Sequence, residues 1–451
     1  MSNQEGSLQH LQIQPSNIIS TGTVSFRNGN PVLQFIIAEQ DKYLLGNSLR
    51  FTGNIQFFDN SAVPVSASAL SIDPKTSIYG CISELSLKSQ RSKQVIERVA
   101  HYGRFLASYL PALETKQSAM SHLGETTCMM PNHEVQREGL VNNQNGVSAT
   151  DRTTTGSAFA LHLPCGLLNS KTPIPLSADG WGIGGLMLEI TLQNDSQVLF
   201  ANNGISASLT DAYYEMTNLN LICEVVNPSG EALAELQRQE GNTMEYNSIS
   251  SYYTSVNSTN AILNFNLGLS KCLGCFFNVI PSAQLNNFAN NGYACLPFTN
   301  TTGSVAQVRQ VVFTRNGVKF PLQYNIDTNV NIRNMSSTDS ANYWSPDPQI
   351  VMNVLDSFMP FSENKRTQLS PITLSRNLEL VGDRNIADGG PMFACGVNWD
   401  NISNVGVDFS SANLGIQMEL GLTTDNPNTI FLFVHHKNTL VFSKNGLQVL
   451  N

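Results

Sequence analysis

The most regular alternation of hydrophobic and polar positions in the chain lies between Leu186 and Gln193. Every second residue from Leu186 to Leu192 is aliphatic, and the positions between them are mostly polar. Because successive side chains of a β-strand point to opposite faces, this stretch is predicted to be a strand with one apolar face. Phe159–Leu163 alternates in the same way, and a loop rich in proline and glycine joins the two strands. The pattern is typical of an antiparallel sheet packed on one face.

Shorter alternating stretches recur along most of the chain and predict many more strands. Six Asn-Gly pairs accompany them, and Asn-Gly supplies the positive φ angles that tight hairpins require. The first predicted hairpin joins Val24–Phe26 to Val32–Ile37 through Asn28-Gly29. The other predicted strands are 49–59, 78–87, 212–226, 273–280, 305–313, 318–325, 414–422, 429–435 and 439–443. Short strands at this spacing are typical of sandwiches or barrels.

A different period appears from Gln90 to Leu110, where apolar residues recur every three or four positions. This spacing predicts an amphipathic helix that ends before Pro111. The other face of the helix carries five basic residues, Lys88, Arg91, Lys93, Arg98 and Arg104. We interpret them as a solvated face with Glu97 interspersed, in preference to a nucleic-acid contact.

The remaining segments lack the strand period. Residues 1–19 are predicted to form an extended arm, and 230–240 and 347–358 are predicted to be short helices. Two long irregular segments, 112–154 and 359–391, have the length of functional or interface loops.

Two stretches of the first half recur 230 residues later. Val24–Ile37 (VSFRNGNPVLQFII) is matched by Thr254–Leu267 (TSVNSTNAILNFNL), and Leu186–Leu192 (LMLEITL) is matched by Ile416–Leu422 (IQMELGL). One offset of about half the chain length indicates a tandem duplication of a single fold.

We therefore predict an all-β protein with two tandem eight-stranded antiparallel domains and short helices in the excursions between strands. Residues 1–228 would form the N-terminal arm and the first domain, 229–240 a helical linker, and 241–451 the second domain. The length of 451 residues also favours two domains, since it exceeds what one hydrophobic core usually organises.

Composition narrows the function classes. Charged residues make up 13% of the chain, against roughly 25% in an average domain. This low charge fits a surface covered by neighbouring molecules, and it also fits some secreted β-proteins. The net charge of −9 argues against electrostatic gathering of nucleic acid. The N-terminus does not resemble a signal peptide, and no apolar stretch is long enough to span a bilayer. The eight cysteines are then expected to be reduced, buried thiols.

Three motifs carry possible chemistry, and each has a more ordinary interpretation. Gly180–Gly185 fits GxGxxG, but a predicted strand follows where a dinucleotide site needs a helix. Cys272 and Cys275 lack a second pair at ligand spacing, because Cys295 and Cys395 stand alone. His435-His436 lies between two predicted strands, so one imidazole is expected in the core and the other in solvent.

The tryptophans Trp181, Trp344 and Trp399 lie in or near predicted loops, where they could form a sugar-stacking platform or pack at loop bases. No G-x-S-x-G, H-E-x-x-H or P-loop motif occurs, and no pair of carboxylates suggests acid–base catalysis. We therefore predict no catalytic, cofactor-binding or metal-ligating residues and no cofactor, and we do not expect an enzyme.

Three stretches resemble one protein family. They are Leu11–Leu44 (LQIQPSNIISTGTVSFRNGNPVLQFIIAEQDKYL), 49–59 (LRFTGNIQFFD) and Ser157–Phe200. These stretches resemble major capsid proteins of the polinton-like virus and virophage group, within the adenovirus-hexon lineage. The resemblance implies a double jelly roll, in which the two predicted domains are jelly rolls standing side by side.

The resemblance also implies a structural role. The protein would form homotrimers, each a pseudo-hexameric capsomer in the icosahedral shell of a DNA virus, and it would be assembled inside the host cell and located in the virion. Its partners would be copies of itself, neighbouring capsomers, and penton and minor or cement proteins, without sequence-specific nucleic acid. Segments 112–154 and 359–391 would be outer towers or subunit clasps, and the N-terminal arm would tie the inner surface to neighbours.

Other functions remain open on the residues alone. A carbohydrate-binding jelly-roll protein is suggested by the loop tryptophans, and a glycoside-processing enzyme could use the same fold. Within the viral interpretation, a minor or penton capsid protein is the nearest rival, although such proteins typically carry one jelly roll.

Overall fold

The computed structural model describes most of the chain. The described residues are 7–18, 22–27, 31–38, 41–65, 70–73, 76–113, 157–170, 172–177, 182–201, 205–231, 234, 242–296, 298, 307–327, 394–399, 405–421, 427–443 and 446–451. The predicted helix 347–358, segment 359–391, and most of segment 112–154 lie outside these residues.

Strands dominate the described part of the chain. They are β1 (Leu8–Ile13), β2 (Val32–Ile37), β3 (Tyr43–Leu44), β4 (Arg50–Phe58), β5 (Leu70–Ile72), β6 (Ile82–Ser89), β7 (Val95–Ala100), β8 (Ser157–His162), β9 (Ile174–Pro175), β10 (Leu186–Leu192), β11 (Leu199–Ala201), β12 (Tyr213–Val226), β13 (Thr243–Val256), β14 (Asn260–Asn266), β15 (Cys272–Pro281), β16 (Val308–Arg315), β17 (Val318–Lys319), β18 (Ile326–Asp327), β19 (Cys395–Asn398), β20 (Asn413–Leu420), β21 (Asn428–Ser443) and β22 (Gly446–Leu450). Helix α1 spans Tyr102–Leu113 and the short helix α2 spans Asp195–Val198.

Short 3₁₀ turns join some of these elements, at Gly46–Ser48, Ser77–Cys81, Leu167–Asn169, Ala207–Leu209 and Ser282–Gln284. Among residues 229–240, for which we predict a helical linker, the described residues Gly230, Glu231 and Ala234 are helical.

The first half of the chain folds into two facing antiparallel sheets. Sheet A has the strand order β1-β12-β4-β8, with β3 and β9 extending it, and sheet B has the order β2-β10-β6-β7. The chain passes back and forth between the two sheets, so strands that pair within a sheet are often far apart in sequence. This is the arrangement of a jelly roll. We call this unit the first roll.

The second half repeats the arrangement. Sheet C has the order β13-β21-β15-β19, with β22 also pairing with β21, and sheet D has the order β14-β20-β16-β17, with β18 also pairing with β16. The two orders match those of sheets A and B strand for strand. This unit is the second roll, and the chain therefore has the double jelly-roll fold.

The alternation that predicted β10 is confirmed by its burial. The four aliphatic side chains on its inner face are no more than 1% exposed, and they pack between sheets A and B in the core of the first roll. β8, the second alternating strand, lies in sheet A, whereas β10 lies in sheet B. The chain between them therefore crosses from one sheet to the other.

The sequence repeat corresponds to equivalent strands, with a shift in register. Leu33 pairs with Ile190 in the first roll. A constant offset would pair Leu263 with Leu420, but Leu263 pairs with Ile416, four residues earlier. The shift is an even number of residues, so each side chain keeps its face and the inner faces of both rolls stay apolar.

The start of the chain differs from its prediction. Leu8–Ile13 is the edge strand β1, which pairs with β12 in sheet A, so the predicted arm 1–19 contributes a strand to the first roll. Val24 bridges Met216 of β12 in sheet A, and β2 lies in sheet B. The predicted hairpin between Val24–Phe26 and Val32–Ile37 was therefore wrong, because the chain changes sheet between them.

The helix predicted from Gln90 was also wrong over its first half. Residues 95–100 form β7, and α1 begins at Tyr102. Leu87 pairs with Glu97 and Lys88 with Val95, which leaves Ile96 as the extra residue of a β-bulge. The bulge lets Ile96 and Val99 face the core together, and this three-residue spacing imitated a helical period.

Candidate functional site at the interface between the rolls

The two rolls meet where α1 packs on the outer face of sheet C. The ring of Phe105 lies 5.9 Å from that of Phe276 and 5.7 Å from that of Phe433. All three rings are buried, and aromatic pairs at these separations add to the free energy of burial. Asn278, two residues from Phe276 and therefore on the same face of β15, donates to the Ser108 hydroxyl at 3.2 Å. The helix of the first roll thus completes the core of the second.

Arg104 is a fully buried cation at the centre of this contact. Its guanidinium donates to the carbonyl of Gly292 at 2.7 Å and to the amide oxygen of Gln197 at 2.9 Å. The same group lies 4.8 Å from the ring centroids of Tyr293 and of Phe431. Burial lowers the pKa of Arg104, yet a guanidinium keeps its charge at any pH a protein meets. Rings and neutral oxygens from both rolls therefore hold this charge.

Arg104 thus departs from the predicted solvated face. Arg98 and Lys88 do lie on the outer face of sheet B, where they form ion pairs with Glu84 and Glu189 respectively. Arg104 comes after the chain has turned from β7 into α1, so its side chain points into the inter-roll interface and not into solvent.

A segment of the second roll, residues 282–296, reaches back over the first roll, and we call it the clasp. The Tyr293 hydroxyl donates to the Gly80 carbonyl at 2.6 Å, and the Asn291 amide donates to Asp73 at 2.8 Å. The backbone N–H of Ala201 donates to the carbonyl of Phe288 at 2.7 Å. These bonds satisfy polar groups of the clasp that would otherwise be buried without partners.

Glu97 is a second fully buried charge-bearing group at the interface. Its carboxylate accepts hydrogen bonds from the backbone N–H groups of Gly166 at 3.0 Å and Leu167 at 2.8 Å. It also accepts from the Ser248 hydroxyl of the second roll at 2.9 Å. Burial raises the pKa of Glu97, while these donors act in the opposite direction. The carboxylate joins a loop of the first roll to β13 of the second.

The backbones of the two rolls also approach closely beside Glu97. A Cβ atom built on Gly166 would lie 1.8 Å from the carbonyl oxygen of Asn247, so a residue with a side chain does not fit without separating the rolls. Close by, the Tyr246 hydroxyl donates to the Ile96 carbonyl at 2.7 Å. The interface is therefore specific in shape as well as in hydrogen bonding.

His435 and His436 lie in the sheet that the first roll covers. They lie inside the continuous strand β21, which replaces the two strands predicted for 429–435 and 439–443. Both are buried, at 0% and 3% exposure, so the expectation of one solvent-facing imidazole was wrong. His435 contacts Phe276 on the face covered by the first roll, and His436 lies 2.9 Å from the Ser250 hydroxyl. Sheet C is covered on both faces.

The other sequence motifs lie outside this interface. Gly184 and Gly185 take φ values of 73° and 78° and lead directly into β10, while Gly180 and Trp181 fall outside the described residues. Cys272 and Cys275 are buried, and burial raises the pKa of both thiols. Across the part of the chain that the structure describes, no group of three or more His, Cys, Asp or Glu residues could hold a metal ion.

Trp399 is the described member of the tryptophan set. Its ring lies 4.7 Å from that of Phe409 and packs against the core, so it has the packing role. Trp344 lies outside the described residues. No described helix is long and apolar enough to cross a membrane.

Sequence reasoning missed most of the residues that join the rolls. Two signals were present: Glu97 and Arg104 interrupt an apolar pattern, and the run Ile430–Val434 has no polar alternation. Such a run indicates a strand buried on both faces. The clasp has no comparable signal, because its contacts come from asparagines, a glycine and a tyrosine in an irregular segment.

The fold is similar to those of several solved viral capsid proteins over nearly the whole chain. PBCV-1 VP54, as fitted into a cryo-EM reconstruction of the virophage Sputnik, matches 100% of this chain and 98% of its own, with a TM-score of 0.57 and 11% identity. The Faustovirus major capsid protein matches 98% of this chain and 92% of its own, with a TM-score of 0.55 and 8% identity. The mavirus major capsid protein matches 98% of this chain and 90% of its own, with a TM-score of 0.50 and 11% identity. No protein-family model and no curated protein matches the sequence.

Proposed function

We propose that the protein is the major capsid protein of an icosahedral DNA virus or virophage. The observation that carries the proposal is the match of nearly the whole chain, both rolls together, to solved major capsid proteins of mavirus and Faustovirus. The interface supports it physically. Buried side chains join the two rolls, which supports a role in which both rolls act together as one building unit.

The assembly we propose is a homotrimer. Three copies, each with two rolls of the same strand order, present six similar units around one axis, which makes a pseudo-hexameric capsomer. Neighbouring capsomers, penton proteins and minor or cement proteins would be its partners in the virion, without sequence-specific nucleic acid. The protein would be assembled inside the host cell. Low charge, 13% of residues, limits repulsion between packed copies.

We keep the domain division as part of this proposal: 1–228 for the first roll with the preceding residues, 229–240 for the linker, and 241–451 for the second roll. It is supported by the end of β12 at Val226 and the start of β13 at Thr243. We propose no catalytic, cofactor or metal site. A penton-type role is less favoured because the chain carries two rolls.

The test is the mass of the purified full-length chain in solution. Light scattering after size exclusion is expected to give three times the 49.3 kDa chain mass, and negative-stain images should show pseudo-hexagonal particles. A stable monomer at micromolar concentration would contradict the trimer. Binding of that monomer on a glycan array would instead support the carbohydrate-binding alternative.

A further inference from the structure

His101 occupies the junction between β7 and α1, at the edge of the inter-roll interface. Its backbone has a φ of 55°, which turns the chain from the strand into the helix. Its imidazole lies 5.1 Å from the ring of Tyr253 and 5.0 Å from the ring of Phe431, both of the second roll. The first roll therefore touches sheet C through a titratable ring.

The surroundings of His101 disfavour a positive charge. The guanidinium of Arg104 lies 4.8 Å from the same Phe431 ring that His101 contacts. Arg98 is a second nearby cation, and the acidic neighbour, Glu84, is already held by Arg98 through two bonds of 2.7 Å. On the side of sheet C, the titratable or charged residues of β13 and β21 nearest in sequence to Tyr253 and Phe431 are Tyr252, whose hydroxyl donates to the Leu267 carbonyl, Tyr253 itself, His435, His436 and Lys437.

Burial, followed by the charge of Arg104, lowers the pKa of His101 to about 4. An exposed imidazole titrates near 6.5. Between about pH 4 and pH 6.5, His101 is therefore protonated when the interface is separated and neutral when it is closed. Acidification through this window therefore favours separation, and the effect disappears above about pH 6.5.

We propose that His101 makes the joint between the two rolls acid-labile, so that protonation loosens α1 and β7 from sheet C before either roll unfolds. A protonated His101 would place a second cation against the ring that Arg104 already uses, and Glu84 is committed to Arg98. This inference rests on the geometry of the interface and does not depend on the proposed capsid function.

Hydrogen–deuterium exchange of the full-length protein between pH 7.5 and pH 5, corrected for the intrinsic pH dependence of exchange, tests the proposal. The opening equilibrium of peptides from residues 95–113 and 243–256 is expected to rise about 30-fold, the ratio that pKa values of 6.5 and 4 give at pH 5. A peptide from β10, which is separated from β7 by β6 in sheet B, serves as the internal reference and should change less than about threefold.

The variant His101→Asn removes the charge and keeps a residue that tolerates positive φ. It should make the rise at the interface at least threefold smaller than in the wild type, and His101→Gln should do the same. Any remaining rise belongs to His435, which the first roll also covers and whose pKa burial also lowers. The matched control is His10→Asn. His10 is an exposed histidine of β1 that pairs with Glu224, and its variant should keep the wild-type response. An absent rise in the wild type, an equal rise in β10, or an undiminished rise in a folded His101 variant would each overturn the proposal.

Discussion

β12 and β21 occupy the same place in their rolls but have different surroundings. Along β12, buried side chains alternate with partly exposed ones over most of its length. Along β21, every residue from Ile430 to His436 is buried. β12 is covered on one face by its own roll, whereas β21 is covered on one face by sheet D and on the other by the first roll.

This difference shows that the two rolls are not interchangeable. The first roll supplies α1 and Glu97, and the second supplies sheet C and the clasp, so each lacks part of a core without the other. The outer face of sheet B, in contrast, carries the ion pairs Lys88–Glu189 and Arg98–Glu84, whose charges stay in contact with water. The two rolls thus share one strand order but differ in which of their sheet faces are covered by the other roll.

The largest test of the comparison removes a ring from the doubly covered strand. Phe433→Ala is expected to lower the free energy of unfolding by about 3–5 kcal/mol, because it leaves a cavity between β21 and α1. Glu215→Ala, on the outward face of β12, should change it by no more than about 0.5 kcal/mol. Chemical denaturation of both variants measures the difference. Similar losses at the two positions would mean that the second face of β21 is not tightly covered.

The next effect concerns the buried cation. Arg104→Leu should lower the free energy of unfolding by about 3 kcal/mol, because the buried Gly292 carbonyl and the partly buried Gln197 amide both lose their donor. Arg98→Ala, which removes an exposed arginine four residues before the start of α1, should cost less than about 1 kcal/mol. Equal costs in denaturant titrations would show that Arg104 does not join the rolls.

The smallest effect is expected at Ser248. Ser248→Ala should cost about 1 kcal/mol at neutral pH, since it removes one donor from the Glu97 carboxylate. The pKa of Glu97 is already raised, so the folded protein holds this proton more tightly than the unfolded chain, and stability falls as pH rises through the folded value. Loss of the donor raises that pKa further.

The cost of Ser248→Ala should therefore be larger at pH 8 than at pH 5, as measured by denaturant titration at both values. Ser258→Ala, an exposed serine in the turn between β13 and β14, is the matched control and should be neutral at both. A cost that is larger at pH 5 would contradict an ionised Glu97 at the interface.

Sequence reasoning succeeded where local rules decide the structure. The alternation of β4, β10 and β12 predicted one-sided strands, and each is present close to its predicted bounds. Asn316-Gly317 predicted a hairpin, and its two residues take φ values of 50° and 80° between β16 and β17. The helix prediction failed at β7, because a bulge brings Ile96 and Val99 to one face of the strand with the three-residue spacing of a helix.

The sequence by itself determined the strands, the turns and the doubling of an antiparallel sandwich, because side-chain alternation and backbone preference act between neighbouring residues. Only the tertiary structure decided that Arg104 and Glu97 are buried, that β1 is part of a sheet, and that both faces of β21 are covered. Each of these depends on residues far away in the chain. Arg104, for example, donates to the backbone of Gly292, 188 residues away, and no local pattern records such a contact.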